Sequence, residues 1–122
     1  MILDICLYNT KKIKCECGRV HELETELVHD ANITHNLNTM ADKAGIYDAL
    51  WGGNINGVAI QNAGQLADIL TPSIKNMDLR PEYYRRFNAD NGWGTYEQFV
   101  PWLEKLRDKC VEYPDAKIEI SK

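Results

Sequence analysis

A chain of 122 residues is long enough for one domain to bury a core without disulfide or metal staples. Its 44% hydrophobic and 26% charged residues make an ordinary globular composition, and a net charge of −4 argues against general nucleic-acid binding, which needs a basic surface to displace counterions. No apolar run reaches the length of a membrane span, and Met1-Ile2-Leu3-Asp4 lacks the basic and apolar regions of a secretory leader, so the expectation is a cytoplasmic protein with reduced cysteines.

Residues 2–8 alternate, with Leu3, Ile5 and Leu7 on one face and Asp4, Cys6 and Tyr8 on the other, which predicts a half-buried strand. Asn9-Thr10-Lys11 predicts a turn. Residues 12–17 predict a second strand, with Ile13, Cys15 and Cys17 sharing a face, and Gly18-Arg19 turns it. A third strand over 22–29 sets Glu22, Glu24 and Glu26 on its outer face. The period then changes to about 3.6: Ile33, Leu37, Met40, Ala41, Ala44, Tyr47 and Trp51 line one side of a helix. Asn32 or Thr34 is its N-cap, and Gly45 ends or interrupts it before a further turn over Ile46–Trp51.

Gly52–Gly57 is a loop by composition. A second helix starts near Asn62, with Asn62 and Gln65 as a capping-box variant and Leu66, Ile69, Leu70, Ile74 and Met77 on its buried side. Pro72 lies inside that pattern and predicts a kink or break. Pro81 opens a short helix through Phe87. After a loop over 88–94, Thr95 and Gln98 fit a capping box for a last helix with Phe99, Trp102, Leu103, Leu106 and Cys110 as its core stripe; Pro101 argues for a start one turn later. Tyr113-Pro114-Asp115 stops it, and Ile118 and Ile120 alternate in a closing strand. The predicted fold is α+β: a small, mainly antiparallel sheet of N-terminal strands plus the C-terminal strand, packed against three to four helices. One domain spans 1–122, with 12–29 as a hairpin insertion.

Three groups of segments carry a resemblance: Ala31–Leu37; Met40-Ala41 with Ala44–Trp51; and Asn91–Glu97. With the tail Tyr113–Ser121 they carry a resemblance that runs from about His29 to the end, roughly three-quarters of the chain. In these segments the chain resembles an uncharacterised group of small phage and prophage proteins. The resemblance implies a mobile-element setting and no activity. Many members pass more directly from the first strand to the Asn32 segment, so the Lys11–Glu26 portion departs from their pattern.

Candidate chemistry concentrates at two helix starts. Free amides there, aided by the helix dipole, attract anions. Asn32, Thr34, His35 and Asn36 add donors from the first segment; Asn91 and Thr95 add them from the second, where Trp93 and Tyr96 can stack on a planar ligand. The bland alternative is that these residues only cap helices and satisfy loop amides. Cys15-x-Cys17-Gly18 with His21, completed by His29, is a candidate zinc site, but one close cysteine pair is a weak signal and cysteine on a strand face also behaves as a small hydrophobe. Cys6 and Cys110 fall on core positions as inert thiols. His35 beside Asp30 is the one base-and-carboxylate pairing; no nucleophile motif accompanies it. The sequence therefore favours a non-enzymatic binding protein without a cofactor, zinc apart. Its partner is a small anionic or nucleotide-like ligand, such as a host signalling nucleotide sequestered in counter-defence. The alternative is a host protein met by the acidic face of Glu22, Glu24, Glu26 and Asp30. The site hypothesis requires the segments 32–36 and 91–96 to meet.

Overall fold

The computed structural model describes residues 2–14, 16, 18 and 20–122, and side chains outside 11–14 and 20–25. Strands β1 (Ile2–Lys14) and β2 (Val20–Thr34) form one long antiparallel hairpin, and β5 (Lys117–Ser121) pairs with the other side of β1 over Asp4–Tyr8. The sheet order is thus β2-β1-β5. Leu3, Ile5 and Leu7 are fully buried on the helix side, as their alternation requires, while Asp4, Cys6 and Tyr8 stay half-exposed on the outer face. Cys6 is therefore not a core residue. Its thiol lies near the Asp30 carboxylate at 3.5 Å and is pushed up by burial and by that charge.

The hairpin corrects one expectation. Asn9-Thr10-Lys11 is not a turn: β1 runs through it. The ladder with β5 ends at Tyr8, so the residues of β1 beyond it pair with β2 alone. Of the span 12–29, residues 12–14 belong to β1 and 20–29 to β2, so the expected hairpin is continuous with the two strands of the sheet. Slips in register at Leu7/Tyr8 and Asn9/Thr10 mark β-bulges along it.

β2 also extends past the expected helix start. Ala31 and Ile33 face inward opposite Ile5 and Leu3, while Asp30 and Asn32 are exposed. Ile33 is thus a strand residue and Asn32 caps nothing. Thr34 is the cap: its Oγ accepts the amide of Asn36 at 3.3 Å and opens a 3-10 turn over His35–Leu37. Helix α1 (Asn38–Lys43) follows directly. It ends at Gly45, where φ is +77°, with the amide of Ile46 donating to Ala41 O and that of Gly45 to Asp42 O. That Schellman pattern separates α2 (Tyr47–Gly52) from α1, as the glycine suggested.

The stretch read as a plain loop contains a two-residue-per-strand hairpin, β3 (Asn54–Ile55) and β4 (Val58–Ala59). Asn56-Gly57 makes its turn with φ of +51° and +81°, the signature of a type I′ turn. Asn62 caps α3 (Ala63–Leu79) by accepting the amide of Gln65 at 3.0 Å. Pro72 does not break α3. Pro72 and Asp68, whose carbonyl it leaves without a donor, are both exposed, so water can serve that carbonyl. α4 (Pro81–Arg85) starts on its proline as expected. α5 (Tyr96–Glu112) starts on the Thr95/Gln98 capping box, and Pro101 inside it delays nothing, for the same reason: Pro101 and Glu97 are both exposed. Five α-helices are present among the described residues, more than the expected three to four, because the chain breaks its helical pattern at Gly45 and again at Arg80.

The core lies between the sheet's inner face and the helices. Leu66, Leu70, Ile74 and Met77 of α3 meet Phe99, Leu103, Leu106 and Cys110 of α5, all buried. Each large side chain hidden this way stabilises the fold by about 1.5–3 kcal/mol. No helix among the described residues is long and apolar enough to cross a membrane.

Candidate functional site

The two segments singled out from sequence meet. Asn36 Nδ2 donates to Trp93 O at 2.9 Å. Gly94 is buried at φ +123°, and a Cβ there would stand 3.2 Å from Asn36 Cβ and 3.3 Å from Leu37 Cγ and Thr34 Cγ2. The loop before α5 therefore lies flat on the turn after β2, and only glycine permits that approach. Beside this junction opens a cleft of about 630 Å³, lined by Ile2, Asn32, Ile33, Thr34, Asn36, Trp93, Gly94, Gln98 and Trp102. That volume is in the range of small-molecule sites.

Four of the expected residues border the cleft: Asn32, Thr34, Asn36 and Trp93. Trp93 is 72% exposed, so its indole is no plug of the core. The other four serve elsewhere. His35 turns to Trp51, whose Nε1 donates to His35 Nδ1 at 3.4 Å, with the rings edge-on. His35 therefore makes no pair with Asp30. Asn91 accepts the amide of Trp93 at 3.0 Å within the loop. Thr95 accepts the amide of Gln98 at 3.3 Å as the cap of α5. Tyr96 is buried, its hydroxyl donating to Met77 O at 2.9 Å; burial, then the nearby Asp78, pushes that hydroxyl's pKa up.

The helix-start amides are not free. Gln98 Oε1 accepts from Gly94 N and Thr95 N, both at 3.1 Å. Asn88 Oδ1 accepts from Tyr96 N at 2.8 Å. The Glu97 carboxylate takes its own backbone amide and, chiefly, the Arg85 guanidinium, which together hold its pKa below the usual range. The protein's own oxygens thus occupy the donors an anion would use. The cleft, in addition, has no charged side chain in its lining. The walls of the cleft are aromatic, aliphatic and amide side chains.

Sequence reasoning missed Ile2, Ile33, Gln98 and Trp102 as lining residues. Gln98 carried only a capping signal and Trp102 only a core signal. Trp102 Nε1 is closed off from water and has no hydrogen-bond partner among the described residues. A buried unpaired donor costs about 1–3 kcal/mol, so an acceptor brought by a ligand that shifts the wall would be favoured there.

Cys15 and Cys17 of the zinc hypothesis lie outside the described residues, as does the side chain of His21. Among the described residues no cluster of three or more potential ligands forms. His29 faces α5, and burial, with Lys105 and Lys109 nearby, pushes its pKa down. Of the acidic face, Glu26 and Asp30 are exposed; the side chains of Glu22 and Glu24 lie outside the described set. Cys110 is buried and its thiol is pushed up to about 12 by desolvation, so it is no nucleophile. No family model, curated protein or solved structure matches the chain.

Proposed function

We propose that this chain is a non-enzymatic binding protein whose cleft takes a planar, uncharged group with hydrogen-bonding edges. The observation that carries this reading is the lining itself: an exposed Trp93, a second indole at Trp102, three side-chain amides and no charge. A ring laid on Trp93 gains stacking worth about 1–3 kcal/mol. Asn32 is exposed and has no partner among the described residues, and Asn36 and Gln98 each have one side-chain atom still uncommitted. These amides can read donors and acceptors on the ring's edge. Of a nucleotide-like ligand, the base fits this description and the phosphate does not. A phage setting, in which the captured group comes from the host, is the use we propose from the sequence resemblance.

The test is quenching of tryptophan fluorescence by a panel of nucleosides, nucleotides, indole and p-cresol. Saturable quenching that Trp93→Ala abolishes is expected. The same response from benzoate or inorganic phosphate, or none from any ring, would refute the reading.

A further inference from the structure

The cleft does not end at Asn32 and Trp102. Those two residues also border a second hollow of about 170 Å³, with His29, Asp30, Ala31 and Lys105. Together the two hollows are bounded by every residue of β2 from His29 to Thr34. Side chains of a strand alternate between faces, so six consecutive residues can border one groove only along the strand's edge. The opposite wall is Gln98, Trp102 and Lys105, spaced by four and three residues and so on one face of α5.

Among the described residues, that edge of β2 is unpaired. β2 lies at the border of the sheet, and among the described residues its backbone over 29–34 bonds only to β1. The ladder from Ile2↔Thr34 to Leu7↔His29 runs without a slip, and the bulge begins just beyond it. Every second residue of such a strand points its N–H and C=O outward. Proteins usually blunt such an edge with charges, proline or bulges. β5, the other border strand, carries Lys117 and Glu119. The 29–34 stretch has no lysine and no proline, and its one carboxylate, Asp30, sits beside Cys6 on the outer face. Six residues at about 3.3 Å each make an edge roughly 20 Å long.

We propose that the groove docks an extended peptide of a partner protein. The peptide adds to β2 as a fourth strand, seats an aromatic side chain beside Trp93 and directs an acidic residue toward Lys105. The proposal rests on the cleft reading above and names the source of its planar group. Backbone bonds to the edge supply affinity, and the two hollows supply specificity. Charge sets the polarity: the Trp93 end is neutral, whereas at the other end Lys105 lines the hollow and, with Lys109, outweighs Asp30 in its action on His29.

The test is selection of a displayed random heptapeptide library on the full chain, then titration of enriched peptides made synthetically with blocked ends. Enriched peptides should carry an aromatic residue and, about three to five positions away, Asp or Glu. N-methylating alternate peptide amides should weaken binding about tenfold or more in one parity and little in the other, since only one set faces β2. Trp93→Ala should cost about tenfold, and Lys105→Glu about fivefold with loss of salt sensitivity. Failure to enrich any peptide over a Trp93→Ala, Lys105→Glu double variant overturns the proposal, as does indifference to N-methylation. Dimerisation that protects the amides of 29–34 from exchange makes a second copy the occupant and also overturns it. Quenching by nucleosides or indole without peptide selection would refute the peptide and leave the cleft reading standing.

Discussion

Gly94→Ala tests the junction on which the site depends. Two separate costs apply. The φ of +123° is closed to side chains other than glycine and costs about 1–3 kcal/mol to impose on alanine. The new methyl would also press on Asn36, Leu37 and Thr34 at 3.2–3.3 Å, inside ordinary contact, and pushing that turn aside adds about 1 kcal/mol or more. The total is about 2–4 kcal/mol. With a urea m-value of about 1.5 kcal/mol per M, the unfolding midpoint should fall by roughly 1.3–2.7 M at unchanged m. Gly92→Ala is the control: its φ is +77° but nothing stands within 4 Å of the added carbon, so only the left-handed cost of about 1–2 kcal/mol remains. Urea unfolding followed by far-UV circular dichroism measures both. Equal losses for the two variants, or a loss under about 0.5 kcal/mol for Gly94→Ala, would refute the claim that the loop rests on residues 34–37.

Asn36→Ala removes the bond to Trp93 O and should cost about 1 kcal/mol while loosening Trp93, seen as a drop in its fluorescence anisotropy. Thr95→Ala deletes one half of the α5 capping box and should cost about 0.5–2 kcal/mol in the same unfolding assay. Stability should also fall at alkaline pH through Cys110. Its folded pKa of about 12 exceeds the ordinary 9.0, so the unfolded chain releases the proton first. The contribution is whole below pH 9 and is lost toward pH 12, at up to about 1.4 kcal/mol per pH unit; Cys110→Ala should remove that part of the slope. Trp93→Ala should leave stability within about 0.5 kcal/mol, because the indole is mostly exposed, so any binding loss it causes is local.

Local chemistry was legible wherever one residue's preference settles the backbone. The inward row of Leu3, Ile5 and Leu7, the break at Gly45, the caps Asn62 and Thr95, and the start at Pro81 all follow from periodicity, side-chain oxygens and fixed or permissive φ. The errors came where a neighbour in space decides. Asn9–Lys11 looked like a turn because polarity cannot distinguish a turn from a ribbon that has outrun the third strand. Residues 30–33 looked like a helix start because Asp and Asn suit a cap, yet pairing with Leu3–Cys6 kept them extended. Pro72 looked like a break and Pro101 like a sign of a later start, and tertiary placement on the exposed side of each helix removed the penalty.

For the site, sequence could point to two segments but not to their use. Short polar side chains bond either to backbone or to ligand, and which they choose depends on what lies within 3 Å of them. Only the packing of the 91–95 loop onto Thr34–Leu37 brought Asn36 to Trp93 O, while the α5 cap gave the amides of Gly94 and Thr95 to Gln98. The same packing set the edge of β2 opposite Gln98, Trp102 and Lys105, a juxtaposition of residues about seventy positions apart that no local pattern encodes.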